Sequence, residues 1–194
     1  MPRTGSRGGP QTRAKIAEVA GGLFLEHGFD AVTVADIAKA AGLSSVTVFK
    51  HFPRKEDLFL DRQDEAEDLL VAALRKPGNA VDLLHRLTLE LADAGHPLSG
   101  LDPRSVPFFQ TVAESPALAN RAREIAASLQ QALTRELPPT ETAPLLAAFF
   151  VAGYTTVVVD TASRRLAGEP LDAVAVDHRV RLESLYDALR NGLG

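Results

Sequence analysis

The sequence predicts an all-α protein of about nine helices, and three observations carry that prediction. Apolar residues recur at i, i+3, i+4 and i+7 rather than alternating. Gly and Pro fall between these periodic runs, about one helix length apart. No strand pattern of useful length competes, since the β-branched residues of 155–159 sit inside a long helical context.

The elements follow in order. Residues 1–11, rich in Gly, Pro and Arg and without periodicity, read as a flexible basic arm. Ile16, Val19, Ala20, Leu23 and Phe24 form the stripe of an amphipathic helix that stops near Gly28. A short helix starts at Thr33, whose hydroxyl can cap it while Asp36 reaches back, and Val34, Ile37, Ala38 and Ala41 make its apolar face. Gly42 offers a position free for positive φ, and Ser44 caps a third helix that Pro53 limits to about two turns. A continuous helix is expected over 55–75, ended by Lys76-Pro77-Gly78. In 79–94, Val81, Leu83, Leu84, Leu87, Leu89 and Leu91 point nearly all round, the mark of a helix at a bundle centre. A loop over 95–107 precedes helices at about 106–114, 117–137, 143–167 and 171–191.

Composition narrows the function. The chain has 194 residues, 45% hydrophobic and 24% charged, an ordinary globular balance. It holds no cysteine, which excludes disulfides, thiolate zinc sites and cysteine nucleophiles and fits a reducing compartment. The first 15 residues contain no apolar run of the kind a secretory leader needs. Residues 142–159 carry no charge, but Pro144, Gly153, Tyr154, Thr155 and Thr156 interrupt them, so a helix buried in a core or interface is expected there rather than a membrane span. The net charge of −4 divides unevenly: residues 1–55 sum to +4 and the remaining 139 to −8. A basic N-terminal third on an acidic body points to a polyanion met only by the first part.

Two short helices joined through Gly42 fit helix-turn-helix logic. Ala38 is small enough for close packing, Val48 and Phe52 anchor the second helix, and Ser45, Thr47, Lys50 and His51 are expected to face outward. These side chains can donate to phosphates or base edges, and the major groove admits a helix. Arg54 and Lys55 stand at the start of the next expected helix, where cations oppose the macrodipole unless an anion such as a DNA phosphate lies in front.

The run Thr12-Arg13, Leu23-Phe24, Gly28-Phe29, Thr33-Val34-Ala35-Asp36-Ile37-Ala38, Ala41-Gly42-Leu43-Ser44, Thr47-Val48-Phe49, His51-Phe52-Pro53 and Lys55-Glu56-Asp57-Leu58 resembles the DNA-binding domain of the TetR family of bacterial transcriptional regulators, over residues 11–70. The resemblance implies a cytoplasmic homodimer, at the nucleoid when bound, that represses from a palindromic operator until a small molecule enters its C-terminal domain. It implies a helix-turn-helix domain at 12–54 with a connecting helix at 55–76, and an effector-binding and dimerisation bundle at 77–194. It places Thr33, Ser44, Ser45, Thr47, Phe49, Lys50, His51 and Lys55 at double-stranded DNA, with Arg13 or the arm near the backbone or minor groove. Two positions depart from the common pattern: Val46 stands where glycine is frequent and Phe49 where tyrosine is frequent. Phe49 lacks the hydroxyl that meets a phosphate and is left to pack on sugar or a thymine methyl.

Beyond residue 70 no motif carries over. Leu171, Val174, His178, Leu182, Leu185, Tyr186 and Leu189 form one stripe on the last helix. Paired with the uncharged helix before it, that stripe is expected to form the dimer interface, and burial within one chain is the plainer use. Leu84, His85, Thr88, Phe108, Phe109, Val112, Phe149 and Tyr154 are candidates for an effector pocket, being apolar walls with a few polar handles, although each also suits an ordinary core. No fixed charge marks the site, so a hydrophobic or amphipathic effector is expected. The acidic run Asp61, Asp64, Glu65, Glu67, Asp68 reads as a solvated face, and none of the five histidines pairs at helical metal spacing. No cofactor, metal or catalytic residue is expected, and no convergent acid, base or nucleophile argues for an enzyme. A protein-interaction adaptor that keeps the helix-turn-helix as scaffold is the alternative, resting on Val46 and Phe49.

Overall fold

The computed structural model describes residues 9–193. Among them the only regular structure is helical: α1 (Gly9–His27), α2 (Val34–Ala41), α3 (Ser45–His51), α4 (Gln63–Leu74), α5 (Ala80–Asp93), α6 (Val106–Glu114), α7 (Pro116–Glu136), α8 (Ala143–Leu166) and α9 (Leu171–Leu193). Short 3₁₀ turns stand at Glu56–Leu58 and Pro97–Ser99. The predicted fold class holds. Residues 9–11 of the expected arm belong to α1, and the rest of that arm lies outside the described residues.

The chain divides into two compact units. Unit 1 comprises residues up to 61 together with 111–121, and unit 2 comprises 62–110 with the residues from 122 on. The core of unit 1 is built on Ile16, Ala20 and Phe24 of α1, which are fully buried against Ile37, Val48, Phe52 and Leu118. Phe24 lies 4.9 Å from the Phe29 ring and edge-on to Phe59 at 5.7 Å. The half of α1 that faces inward is therefore the stripe its periodicity predicts.

The continuous helix expected over 55–75 is two pieces. Glu56–Leu58 is a 3₁₀ turn, and α4 begins only at Gln63. The turn puts the adjacent Leu58 and Phe59 into the unit 1 core, while Asp57 accepts from Arg121 at 2.7 Å. No Gly or Pro marks this break, because tertiary burial makes it.

In unit 2, α5 is not surrounded. Leu83, Leu84, Leu87 and Thr88 are buried, but Asp82, Arg86, Glu90 and Asp93 leave a charged stripe in solvent. α8 and α9 form an antiparallel pair, shown by the ordered contacts Arg164–Asp177, Thr161–His178, Asp160–Arg181 and Gly153–Leu185. Gly153 lets them approach: a Cβ there would overlap Leu185 Cδ1. α8 is long and apolar enough to cross a membrane by length and composition. Its Ala147, Phe150, Val157 and Thr161 are buried within the unit. The acidic run around α4 is partly knitted to basic neighbours, with Glu65 meeting Arg62 and His96 and Glu67 meeting Arg135. Among the described residues no group of three His, Asp or Glu is placed to hold a metal.

Candidate nucleic-acid interface

The geometry of α2, its turn and α3 follows from local side-chain chemistry. Thr33 and Asp36 close a reciprocal capping box: the Asp36 amide donates to Thr33 Oγ1 at 3.2 Å and the Thr33 amide to Asp36 Oδ2 at 3.0 Å. Hydrogen bonds from the Thr33 hydroxyl and amide also hold the Asp36 carboxyl below its ordinary pKa. α2 ends at Gly42, whose φ of 69° lies in the left-handed region. There the Gly42 amide donates to Lys39 O and the Leu43 amide to Ala38 O, at 3.1 and 2.8 Å. Ser44 begins the next helix by accepting from the Thr47 amide at 3.1 Å.

α3 is seven residues long, so its outward face is short and fully specified. At about 100° per residue, Val46 lies opposite Val48, with Phe49 and Lys50 beside it and Ser45 and Thr47 at the edges. Val48 and Phe52 are buried, whereas Val46 is 67% and Phe49 50% exposed. Lys50 is exposed and His51 half-buried at the inward side. Val46 is the residue that sequence reasoning left off this face, although it sits at the centre. The residue that family pattern marked as unusual was the signal.

Two of the residues expected at DNA, Lys55 and Arg13, are turned inward. Lys55 Nζ donates to the Phe29 carbonyl at 2.6 Å and lies 4.2 Å from the Phe29 ring centroid. The helix start that was to present it to an anion is the 3₁₀ turn, and its ammonium ties that turn to the end of α1. Arg13 donates to the His51 carbonyl at 2.7 Å, with its guanidinium 4.2 Å from the Phe52 ring centroid. A cation at the last carbonyls of α3 complements the helix dipole. Both residues hold α3 and its neighbours in place. Thr33 and Ser44 are exposed caps whose hydroxyls serve the backbone, and Ser44 Oγ also pairs with Thr47 Oγ1 at 2.9 Å.

The expected effector residues are divided between the two units. Val112 belongs to unit 1, packed on its core, and Phe149 is 53% exposed on α8. Phe108 borders solvent, and Phe109 lies in the Gly100 region near Thr161 and Val158. Leu84, Thr88 and Tyr154 are core residues of unit 2 beside Phe150 and Tyr186. Their polar atoms are satisfied: Thr88 Oγ1 donates to His85 O, so the Tyr186 hydroxyl donates to Thr88, and the Tyr154 hydroxyl donates to Leu98 O. His85 is held between Glu183 and Arg190. Burial drives the Tyr154 and Tyr186 hydroxyls above the ordinary tyrosine pKa, so both stay neutral donors.

The exception is His178. It is fully buried. Thr161 Oγ1 donates to Val157 O at 2.9 Å, so at 2.8 Å it accepts from His178 Nδ1, and Nε2 is left as a buried acceptor without a partner. Burial, then Arg181 and Arg179, push its pKa down to about 4.

The stripe expected to form a dimer contact faces inward. Val174, His178, Leu182, Tyr186 and Leu189 are all buried within unit 2. Packing against α5 and α8 claims them, and a different face of α9 is left outside.

Comparison with known proteins bears on the same segment. Residues 16–61 match the family described as bacterial regulatory proteins, tetR family. An HTH-type transcriptional repressor, KstR2 of Rhodococcus jostii, is 31% identical over 102 residues, 49% of this chain and 50% of that protein. The chain spans about half the length of the curated relatives it matches. A TetR-family regulator from Streptomyces coelicolor superposes with a TM-score of 0.61 at 23% identity, covering 96% of this chain and 99% of that one. Thermus thermophilus FadR, a TetR-family repressor solved in complex with lauroyl-CoA, gives 0.56 at 22% identity over 94% and 95% of the two chains. The two structures share the fold, and residues 16–61, which contain the helix-turn-helix, are what this chain has in common with the tetR family of bacterial regulatory proteins.

Proposed function

We propose that the chain is a DNA-binding transcriptional regulator, a homodimer that represses from a palindromic operator and is released by a small hydrophobic or amphipathic effector. The observation that carries this is α3. Its inward side is spent on the unit 1 core, its ends are held by Ser44 and Arg13, and its outward side remains for a groove. In this reading residues 12–54 bind DNA, with 55–76 as the connection, and 77–194 take the effector and dimerise. The protein works in the cytoplasm, at the nucleoid when bound.

The dimer reading moves to the face of α8 and α9 that lies in solvent. Leu145, Phe149 and Val159 on α8 and Val176 and Val180 on α9 are all at least half exposed. Ala152, Thr156 and Ser163 continue the first row, and Ala173 and Ser184 the second. Small and apolar rows on paired helices suit a four-helix contact across a two-fold axis. Support for an acyl or otherwise apolar effector comes from the fatty-acyl ligand of the Thermus neighbour and from the aromatic core around Phe150, Tyr154 and Tyr186. Effector coupling of this kind is typically about 1–3 kcal/mol.

Selection of the purified protein on random duplex DNA at moderate salt tests the proposal. The expected product is a palindrome whose half-sites lie about 34 Å apart, or a multiple of that. No enrichment from a folded, demonstrably dimeric sample overturns it and favours the adaptor reading, in which Val46 and Phe49 meet a protein.

A further inference from the structure

The centre of the outward face of α3 is apolar. Val46 and Phe49, 67% and 50% exposed, lie side by side there, with Lys50 as the flanking cation. The Ser44 and Thr47 hydroxyls are engaged with one another and with the helix, since Ser44 Oγ takes the Thr47 amide and pairs with Thr47 Oγ1, and Ser45 stands at the edge of the face. What this helix offers a base edge at its middle is therefore two hydrocarbon groups.

In the major groove every base-pair edge carries donors and acceptors, and the only apolar feature is the C5-methyl of thymine. Pressing a valine or phenylalanine onto a polar edge strips water from donors and acceptors without replacing it, which costs affinity. Pressing it onto a methyl removes apolar surface from water on both sides. We propose that Val46 and Phe49 are specificity-determining residues that read thymine methyl groups, so that each half-site carries thymine where the middle of α3 meets the groove. This rests on the DNA-binding reading above. It assigns direct base readout to the two side chains that sequence pattern alone marks as exceptions, and leaves Lys50 to phosphate or guanine.

Uracil separates the methyl from every other property of thymine. Duplexes recovered by random selection are remade with deoxyuridine in place of thymidine, one symmetrical pair of positions at a time. The expected result is a loss of about fourfold per methyl, hence about fifteenfold for a symmetrical pair, at one or two positions of the half-site. Restoring the methyl on cytosine, as 5-methylcytosine at the same place, recovers part of the affinity. In Val46→Ala or Phe49→Ala the wild-type preference for thymidine over deoxyuridine shrinks towards unity. Both side chains are exposed, so these variants keep the fold, checked by their helical circular dichroism. Sequence-specific binding in which deoxyuridine is neutral at every position overturns the thymine assignment alone. A deoxyuridine penalty unchanged in both variants assigns methyl reading to other residues and overturns it too. A dimeric sample that retains no duplex overturns the DNA-binding reading and this assignment together.

Discussion

Unit 1 and unit 2 are both helical, but their helices are specified in different ways. In unit 1 both ends of α2 and the start of α3 are set by residues within three positions of the end they fix: Thr33 with Asp36, Gly42, and Ser44 with Thr47. In unit 2 the decisive contacts span much longer stretches of chain, such as Tyr186 to Thr88, Arg190 to Asp82 and Tyr154 to Leu98. Local chemistry lies within a few neighbouring residues and is recognisable as a motif. Distant packing leaves only an apolar stripe, and an apolar stripe does not say what covers it.

The sharpest way to break this comparison is at the centre of each mode. Phe24→Ala removes a fully buried ring that touches Phe29 and Phe59. It is expected to cost about 3–5 kcal/mol, read by denaturant unfolding. A loss below about 1 kcal/mol would show that unit 1 is held by its caps rather than by its core.

Unit 2 carries a pH dependence of its own, in a buried imidazole. The unfolded His178 imidazole titrates near 6.5 and the folded one at about 4. Between those values the unfolded chain binds the extra proton, so stability is complete above about pH 6.5 and falls as the pH drops toward 4. After allowance for screening, the loss is about 2 kcal/mol. Thermal melts from pH 7 to pH 4 check it, and His178→Gln should flatten that part of the profile. An unchanged slope would assign the acid sensitivity to other groups.

The smallest effect sharpens the local side. Ser44→Ala removes the cap of α3 and leaves the core untouched. It should cost about 1 kcal/mol in the same unfolding experiment while weakening DNA binding more than stability. Equal losses in both would reduce Ser44 to a purely structural cap.

These contrasts explain what was legible. The fold class, the capping box, the Gly42 turn and the extents of α6, α8 and α9 all stood in the sequence, because each depends on periodicity or on neighbouring residues. The break between Leu58 and Gln63 did not, since Leu58 and Phe59 leave helical register to enter a core assembled from distant segments. Lys55 followed the same rule. Its charge suggested a phosphate, and the Phe29 carbonyl claimed it. On α9 the stripe was found but its direction was not: Val174, Leu182 and Tyr186 are inside, and Val176 and Val180 are outside. Both faces hold apolar residues, so only the packed structure distinguishes them.

The brevity of α3 has a dynamic consequence. Isolated helices shorter than about 12–15 residues do not persist in water, and α3 has seven. Its order is borrowed from Val48, Phe52 and the contacts at its two ends, so its amide hydrogens should exchange with solvent only when unit 1 opens as a whole. If α3 enters a DNA groove as proposed, a helix that cannot loosen by itself cannot relax around a wrong base pair. Mismatches must then be absorbed by the DNA, and operators rich in easily deformed pyrimidine–purine steps would be tolerated over stiff ones of equal sequence match.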